Sequence, residues 1–228
     1  MVTIYKKDDK RVLVGMVEQV RYAEKNGERL AIVRLTDRND DKVDIFFKND
    51  LSAPENPKKL ADRVEKAKVE AGKWLAVLVF MKSDDAATAT GVDFKYTGVW
   101  SFDQGQDAEG NDRPRATVIA GYSTSPTRVN EGLFRVSMAE KTYDSATQTE
   151  GTKWYSIAFF DDDRELLAKK TEKLLTAPGR KSVPCAIRCS AVRETTKGDR
   201  TYYNLTGYHV ETMYSSEAAN ETENTEAA

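Results

Sequence analysis

The segment Lys153-Trp154-Tyr155-Ser156-Ile157-Ala158-Phe159-Phe160 reads as a β-strand with two different surfaces. Successive side chains of a strand point to opposite sides, so Trp154, Ser156, Ala158 and Phe160 share one face and Tyr155, Ile157 and Phe159 the other. The second face is bulky and apolar, as a core requires. The first sets two small residues between two aromatic rings, an open shelf on which planar bases can stack for about 1 to 3 kcal/mol each. The alternative is that both rings fill an interface between two copies of the chain. Cations suited to a phosphate lie nearby in the pattern. Arg188 and Ser190 alternate with Cys185, Ile187, Cys189 and Ala191, Arg135 is flanked by Phe134 and Val136, and Lys153 opens the strand that carries Trp154. Each of these is either a phosphate contact or a solvated surface charge.

Catalytic chemistry has little to work with. The chain holds one histidine, His209, and two cysteines, Cys185 and Cys189, whereas Ser-His-Asp or Cys-His sites need a histidine beside a nucleophile and metal sites usually need several His or Cys ligands. His209 stands in a strand-like stretch and is expected to pack. The two cysteines fall on one face of a strand about 13 Å apart, as two buried thiols. Residues 37–42 offer carboxylates at calcium-loop spacing but lack the Gly and Glu such a loop requires, which leaves a hairpin turn. Asp161, Asp162 and Asp163 precede a helical segment and are expected to cap it. No enzyme, cofactor or metal is indicated.

The 228 residues carry 35 basic and 37 acidic side chains with 39% hydrophobic content, a normal soluble composition. No apolar run approaches the roughly 20 residues of a membrane span, and the first residues are polar where a signal peptide is apolar, which points to the cytoplasm and to no membrane. Charge is uneven along the chain. Residues 1–110 hold 19 basic and 20 acidic side chains, residues 111–216 hold 16 and 13, and the tail from Glu217 holds none and 4. An acidic tail behind a mildly basic segment either recruits partners, competes with nucleic acid for the same surface, or simply solvates.

Short β-branched and aromatic runs separated by turn signals predict strands over 12–22, 30–36, 43–47, 74–82 and 94–102, then over 116–123, 133–140, 153–160, 184–193 and 202–212. Helices are predicted over 57–70 and 164–175, with Pro57 in a first turn and an apolar stripe on Leu166, Leu167, Leu174 and Leu175. Each helix falls between the third and fourth strands of its set. The halves repeat weakly: VDIFFKND matches YSIAFFDDD, KKLADRVEKAK matches ELLAKKTEKLL, and FKYTGVWSFD matches YYNLTGYHVET. A period near 100 residues implies a duplicated domain. Five strands with one helix between the third and fourth is the order of elements in the OB-fold, a small Greek-key barrel that usually binds oligonucleotides or oligosaccharides. The expected fold is therefore mainly β, with tandem OB-folds over 1–104 and 113–213, a boundary in the polar segment 103–113, and a disordered acidic tail over 214–228.

At these positions the chain resembles the bacterial single-stranded DNA-binding protein family. VLVGMVEQVRY matches that family's first strand and EKNGERLAIVRLTDR its second. TVIAGYSTSPTRVNEGLFRVSMAEKTY repeats the pattern with Gly121, Pro126 and Gly132 in register, and TKWYSIAFFDD sets Trp154 and Phe160 on the third-strand aromatic positions. The family's tryptophan in the hairpin between strands four and five has no counterpart, since that site reads AVRETTKGDR, with Arg193 or Glu194 nearby. The acidic tail lacks the family's terminal Phe.

The resemblance implies sequence-independent binding of single-stranded DNA in replication, recombination or repair, a homodimer of tandem barrels, and a tail that contacts replication or repair proteins. It places Tyr143 near a stacking position on the polar, flexible turn between the second and third strands. In the first half Arg21, Tyr22, Arg34 and Trp100 are candidates. Asp44, however, must face outward and would repel phosphate, which suggests a structural or dimerising role for that copy. The competing function is a protein-interaction or assembly module that kept the barrel and lost the groove.

Overall fold

The computed structural model describes residues 2–212 apart from 26, 38, 51–57, 97, 145, 163–164 and 177–181. Pro57, Asp163, Arg164 and the acidic tail therefore lie outside the described residues. The chain divides into two compact units, residues 1–96 and 97–212. The first contains β1 (Val2–Lys7), β2 (Lys10–Lys25), β3 (Glu28–Thr36), β4 (Lys42–Asp50), β5 (Lys58–Lys59), α1 (Leu60–Lys66), β6 (Trp74–Phe80) and β7 (Thr88–Lys95). The second contains β8 (Gly98–Phe102), β9 (Ala116–Asn130), β10 (Leu133–Asp144), β11 (Thr149–Phe160), α2 (Leu167–Leu175), β12 (Val183–Cys189), β13 (Arg193–Lys197) and β14 (Arg200–Thr212).

In the first unit β2, β3, β4, β7 and β6 pair in that order and β6 returns to β2, closing a five-stranded barrel. Every pairing in the ring is antiparallel except β4 with β7. The second sheet repeats the scheme. There β9, β10, β11, β14 and β12 follow one another, β12 returns to β9, and β11 with β14 is the parallel pair. β1 lies along β2, and β8 lies along β9 in the same way.

The alternation of apolar residues decides which side of each strand faces in. Ala31, Val33 and Leu35 of β3 and Val43, Ile45 and Phe47 of β4 are buried, as are Phe134, Val136 and Met138 of β10 and Tyr155, Ile157 and Phe159 of β11. The parallel pairs set the two units in register, because Asp44 faces Thr88 where Ser156 faces Asn204. Three residues further along, Phe47 meets Gly91 and Phe159 meets Gly207. A Cβ on Gly91 would lie 2.3 Å from the Phe47 ring, and one on Gly207 would lie 2.2 Å from the Phe159 ring. The same device thus closes both rings, with a core phenylalanine lying across a glycine of the parallel neighbour.

That contact corrects the third match of the repeat. Thr-Gly-Val occurs twice in the first half, at Thr90 and again at Thr97. The comparison of sequences set the later one against Thr206-Gly207, whereas the pairing puts Thr90-Gly91 there. The strand expected over 94–102 is in fact two strands, β7 ending at Lys95 and β8 opening the second unit at Gly98. The polar segment 103–113 consequently joins β8 to β9 within the second unit. Phe102 pairs with Ala116, Arg113 N–H donates to the Gly105 carbonyl, and Asp107 accepts from the backbone of Glu109 and Asn111.

Both helices occupy the expected places and are shorter than expected. Each is capped from a distance by a side chain at or just past the end of the third ring strand, β4 or β11. Asn49 Oδ1 accepts from Ala61 N–H at 2.9 Å and Asp62 N–H at 3.3 Å, and its counterpart Asp161 Oδ1 accepts from Ala168 N–H at 2.7 Å and Lys169 N–H at 3.2 Å. Helix N-termini leave such N–H groups without internal partners, so one side chain ties the helix to the barrel. The buried face of α2 is Ala168, Thr171 and Leu175, while Leu166 is exposed, so the leucine stripe is only partly used.

Replacing Gly91 or Gly207 with alanine is expected to cost roughly 1 to 3 kcal/mol, the usual range for overpacking a core. Urea unfolding measures it. The pairing of Phe47→Leu with Gly91→Ala should recover part of the loss, and an unchanged midpoint in the single variants would show that the rings move aside freely.

Candidate nucleic-acid interface

Because Phe159 turns inward, its neighbours Ala158 and Phe160 must turn outward. Trp154 is 53% and Phe160 49% exposed, on one outer face with Ser156 and Ala158 between them. The register builds outward from that strand. Arg135 of β10 stands opposite Ala158 and Ser137 opposite Ser156, while Asn204 and Thr206 of β14 flank Ser156 and Ala158 on the other side. Arg193 of β13 stands opposite Asn204. Together Arg135, Ser156, Ala158, Phe160, Arg193 and Asn204 line a groove of about 260 Å³. Trp154 lies on the same face beyond Ser156, opposite Ala139.

Arg135, Arg188 and Arg193 make no ion pair among the described residues. Arg188 projects from β12 opposite His209 and lines a second cleft next to this groove. The outer face of the second unit therefore presents aromatic rings, small residues between them, and guanidinium groups without carboxylate partners.

Three of the expected site residues, Lys153, Trp100 and Arg34, stand elsewhere, while the register keeps Tyr143 on the Trp154 face. Lys153 lies on the face opposite Trp154, its ammonium 3.7 Å from the centroid of the Tyr203 ring and 3.9 Å from Glu194. Trp100 is buried in β8 opposite Val118, so its ring presents no face for stacking. Arg34 is committed to Asp44 by two hydrogen bonds, Nε to Oδ1 at 2.7 Å and Nη2 to Oδ2 at 2.9 Å. Tyr143 belongs to β10 opposite Glu150, with its side chain outside the described residues. The flexible turn expected around it is a continued ladder, because β10 runs to Asp144 and β11 begins at Thr149.

His209 is also not a packing residue. β14 carries a bulge in which Arg188 faces His209 while Cys189 faces Gly207, and this turns both Tyr208 and His209 outward. His209 Nε2 lies 2.9 Å from Glu211 Oε1. Both cysteines are buried as expected, and burial pushes the Cys185 thiol up to about 12 and Cys189 well above its usual range.

Sequence reasoning placed a hairpin at AVRETTKGDR but did not give Arg193–Lys197 as a strand of its own, β13. Arg193 pairs with Asn204, Thr195 with Tyr202 and Lys197 with Arg200, so this arm extends the outer face with Tyr202, Lys197 and Arg200. The signal present in the sequence is the two-residue turn Gly198-Asp199, with Gly198 at φ +59°. Among the described residues, seven of the nine exposed large hydrophobic side chains, Trp154, Phe160, Tyr202 and Tyr208 among them, belong to the second unit.

The equivalent face of the first unit has opposite chemistry. Register places Lys42 where Trp154 stands, Asp44 at Ser156, Phe46 at Ala158, Lys48 at Phe160, Ile32 at Arg135 and Arg34 at Ser137. Asp44 faces outward as its charge requires, but it is not a bare repulsive group. Arg34 and Arg21 both reach it, the latter at 3.2 Å, and Lys42 pairs with Glu18 at 2.8 Å. The guanidinium of Arg29 stacks over Tyr22 at 5.4 Å. The cations of this face are thus largely engaged within the protein.

Among the described residues no group of three or more His, Cys, Asp or Glu is arranged to hold a metal ion, and no helix is long and apolar enough to cross a membrane. No protein-family model matches the chain, and no curated protein matches it. The structure itself defines a class: a mainly β protein with a closed five-stranded barrel and a second sheet whose outer face is aromatic and basic.

The hydrogen bonds from Arg34 hold the Asp44 carboxyl below its ordinary value. The stabilisation is therefore complete above the unfolded carboxylate value near pH 4 and is lost as pH falls below that through the lower folded value. Asp44→Asn should destabilise the protein at neutral pH and lose much of that disadvantage near pH 2 to 3, as read by urea unfolding at both pH values. A gap that is the same at both would remove the ion cluster from the account of stability.

Proposed function

We propose that this chain is a non-enzymatic protein that binds single-stranded DNA without reading its sequence, through the outer face of its second unit. The observation that carries the reading is the shelf of Trp154, Ser156, Ala158 and Phe160 bordered by Arg135 and Arg193, none of whose charge is consumed by a carboxylate among the described residues. Aromatic faces suit bases of any identity, and guanidinium groups suit the backbone between them. The pairing order, with its one parallel contact and a helix between the third and fourth ring strands, supports reading each unit as an OB-fold. On this reading the first unit, with its outer cations in ion pairs, serves structure or dimerisation. The protein acts as a homodimer in the cytoplasm during replication, recombination or repair, where its acidic tail meets partner proteins.

A second reading, an assembly module without nucleic-acid binding, is favoured at one place only, the ion-paired face of the first unit. Salt separates the two, since phosphate contacts release counterions and affinity falls as salt rises.

Of the three tryptophans, Trp74 and Trp100 are buried, so fluorescence quenching reports chiefly on Trp154. Titration with an oligothymidylate should quench saturably at low salt and weaken as salt increases. The double variant Trp154→Ala, Phe160→Ala should remain folded, since both rings are half exposed, and should lose binding by a factor of about 100 or more, the combined effect of two stacking contacts. Absence of quenching by the folded wild type at low salt would overturn the proposal in favour of the assembly module.

A further inference from the structure

Beside the groove lies a second cleft of about 280 Å³, lined by Arg188, Arg115, Tyr208, Gln104 and Ser190. Ser190 lines both cavities and forms the saddle between them. It is held in place from two sides, its Oγ accepting from Thr206 N–H at 2.9 Å and donating to the Ala191 carbonyl at 3.1 Å. On β14 the step from Thr206, in the groove, to Tyr208, in the cleft, is two residues, or about 7 Å. Tyr208 is 56% exposed, turned outward by the bulge. Arg188 has no ion pair among the described residues, and Arg115 has only the exposed Asp103 at 3.0 Å, a surface pair that a phosphate can displace at little cost.

We infer that a bound single strand continues from the groove across Ser190 into this cleft, where a base stacks on Tyr208 and the adjoining phosphates meet Arg188 and Arg115. This rests on the single-strand reading of the groove and extends it, because it sets the path of the strand and makes the footprint of the second unit longer than the shelf alone. Trp154 and Phe160 anchor the first bases, and Tyr208 engages only strands long enough to cross the saddle.

Oligothymidylates graded from about 4 to about 16 nucleotides, the span of sites known for one barrel of this kind, test the path. Tyr208→Ala should leave the affinity for the shortest binding oligonucleotide unchanged and lower that for the longer ones by about tenfold, within the range of one lost stacking contact. Tyr208→Phe should bind all lengths like the wild type. Arg188→Gln should reduce the salt slope for long strands by about 0.7, one phosphate's share on a single strand. Equal losses at every length, or none at any length while the Trp154→Ala, Phe160→Ala variant loses binding, would overturn the path and leave the groove standing. No binding by wild type at any length would overturn both.

Discussion

Both rings of strands depend on a phenylalanine laid across a glycine. Phe47 over Gly91 and Phe159 over Gly207 sit where the two parallel strands meet, a place in each ring where no hairpin enforces the pairing. A side chain on the glycine would collide with the core ring, so that either the ring or the strand bearing it must shift. The same contact fixes which residues face out. With Phe159 inside, Ala158 and Phe160 are outside by alternation, and the shelf follows from the core.

The two units share one pairing scheme and differ in what it carries. The inward positions, the distant helix caps on Asn49 and Asp161, and the bulge on the last ring strand recur. The outward positions do not. One face carries Arg34 paired with Asp44 and Lys42 paired with Glu18, the other Trp154, Ser156 and Ser137. Outward residues answer to whatever the surface meets, so they diverge while the barrel stays. A near-neutral total charge conceals this, because engaged and unengaged cations count alike in a sum.

Much of this was legible in the sequence because strand alternation is a local rule. Trp154, Phe160, Arg135 and Arg188 could be placed on an outer face from their immediate neighbours alone. What failed needed knowledge of pairing. Trp100 reads as an ordinary strand aromatic until β8 is seen to lie along β9, and Arg34 reads as a free cation until Asp44, ten residues away, turns up opposite it. The two copies of Thr-Gly-Val in the first half are indistinguishable by composition, and only the ring of Phe47 tells which glycine belongs in the core. The strand β13 was not marked out because Glu194, Thr195 and Thr196 are polar throughout and offer no apolar periodicity.

The position of β8 bears on any attempt to separate the halves. A fragment begun at the polar segment 103–113 would look well chosen, since that stretch reads as a linker, yet it would strip β8 from β9 and expose backbone donors and acceptors of Val118 and its neighbours. An uncovered edge of that kind recruits other chains. Such a fragment would tend to assemble through the bared edge, and its stoichiometry would then describe the cut and not the protein.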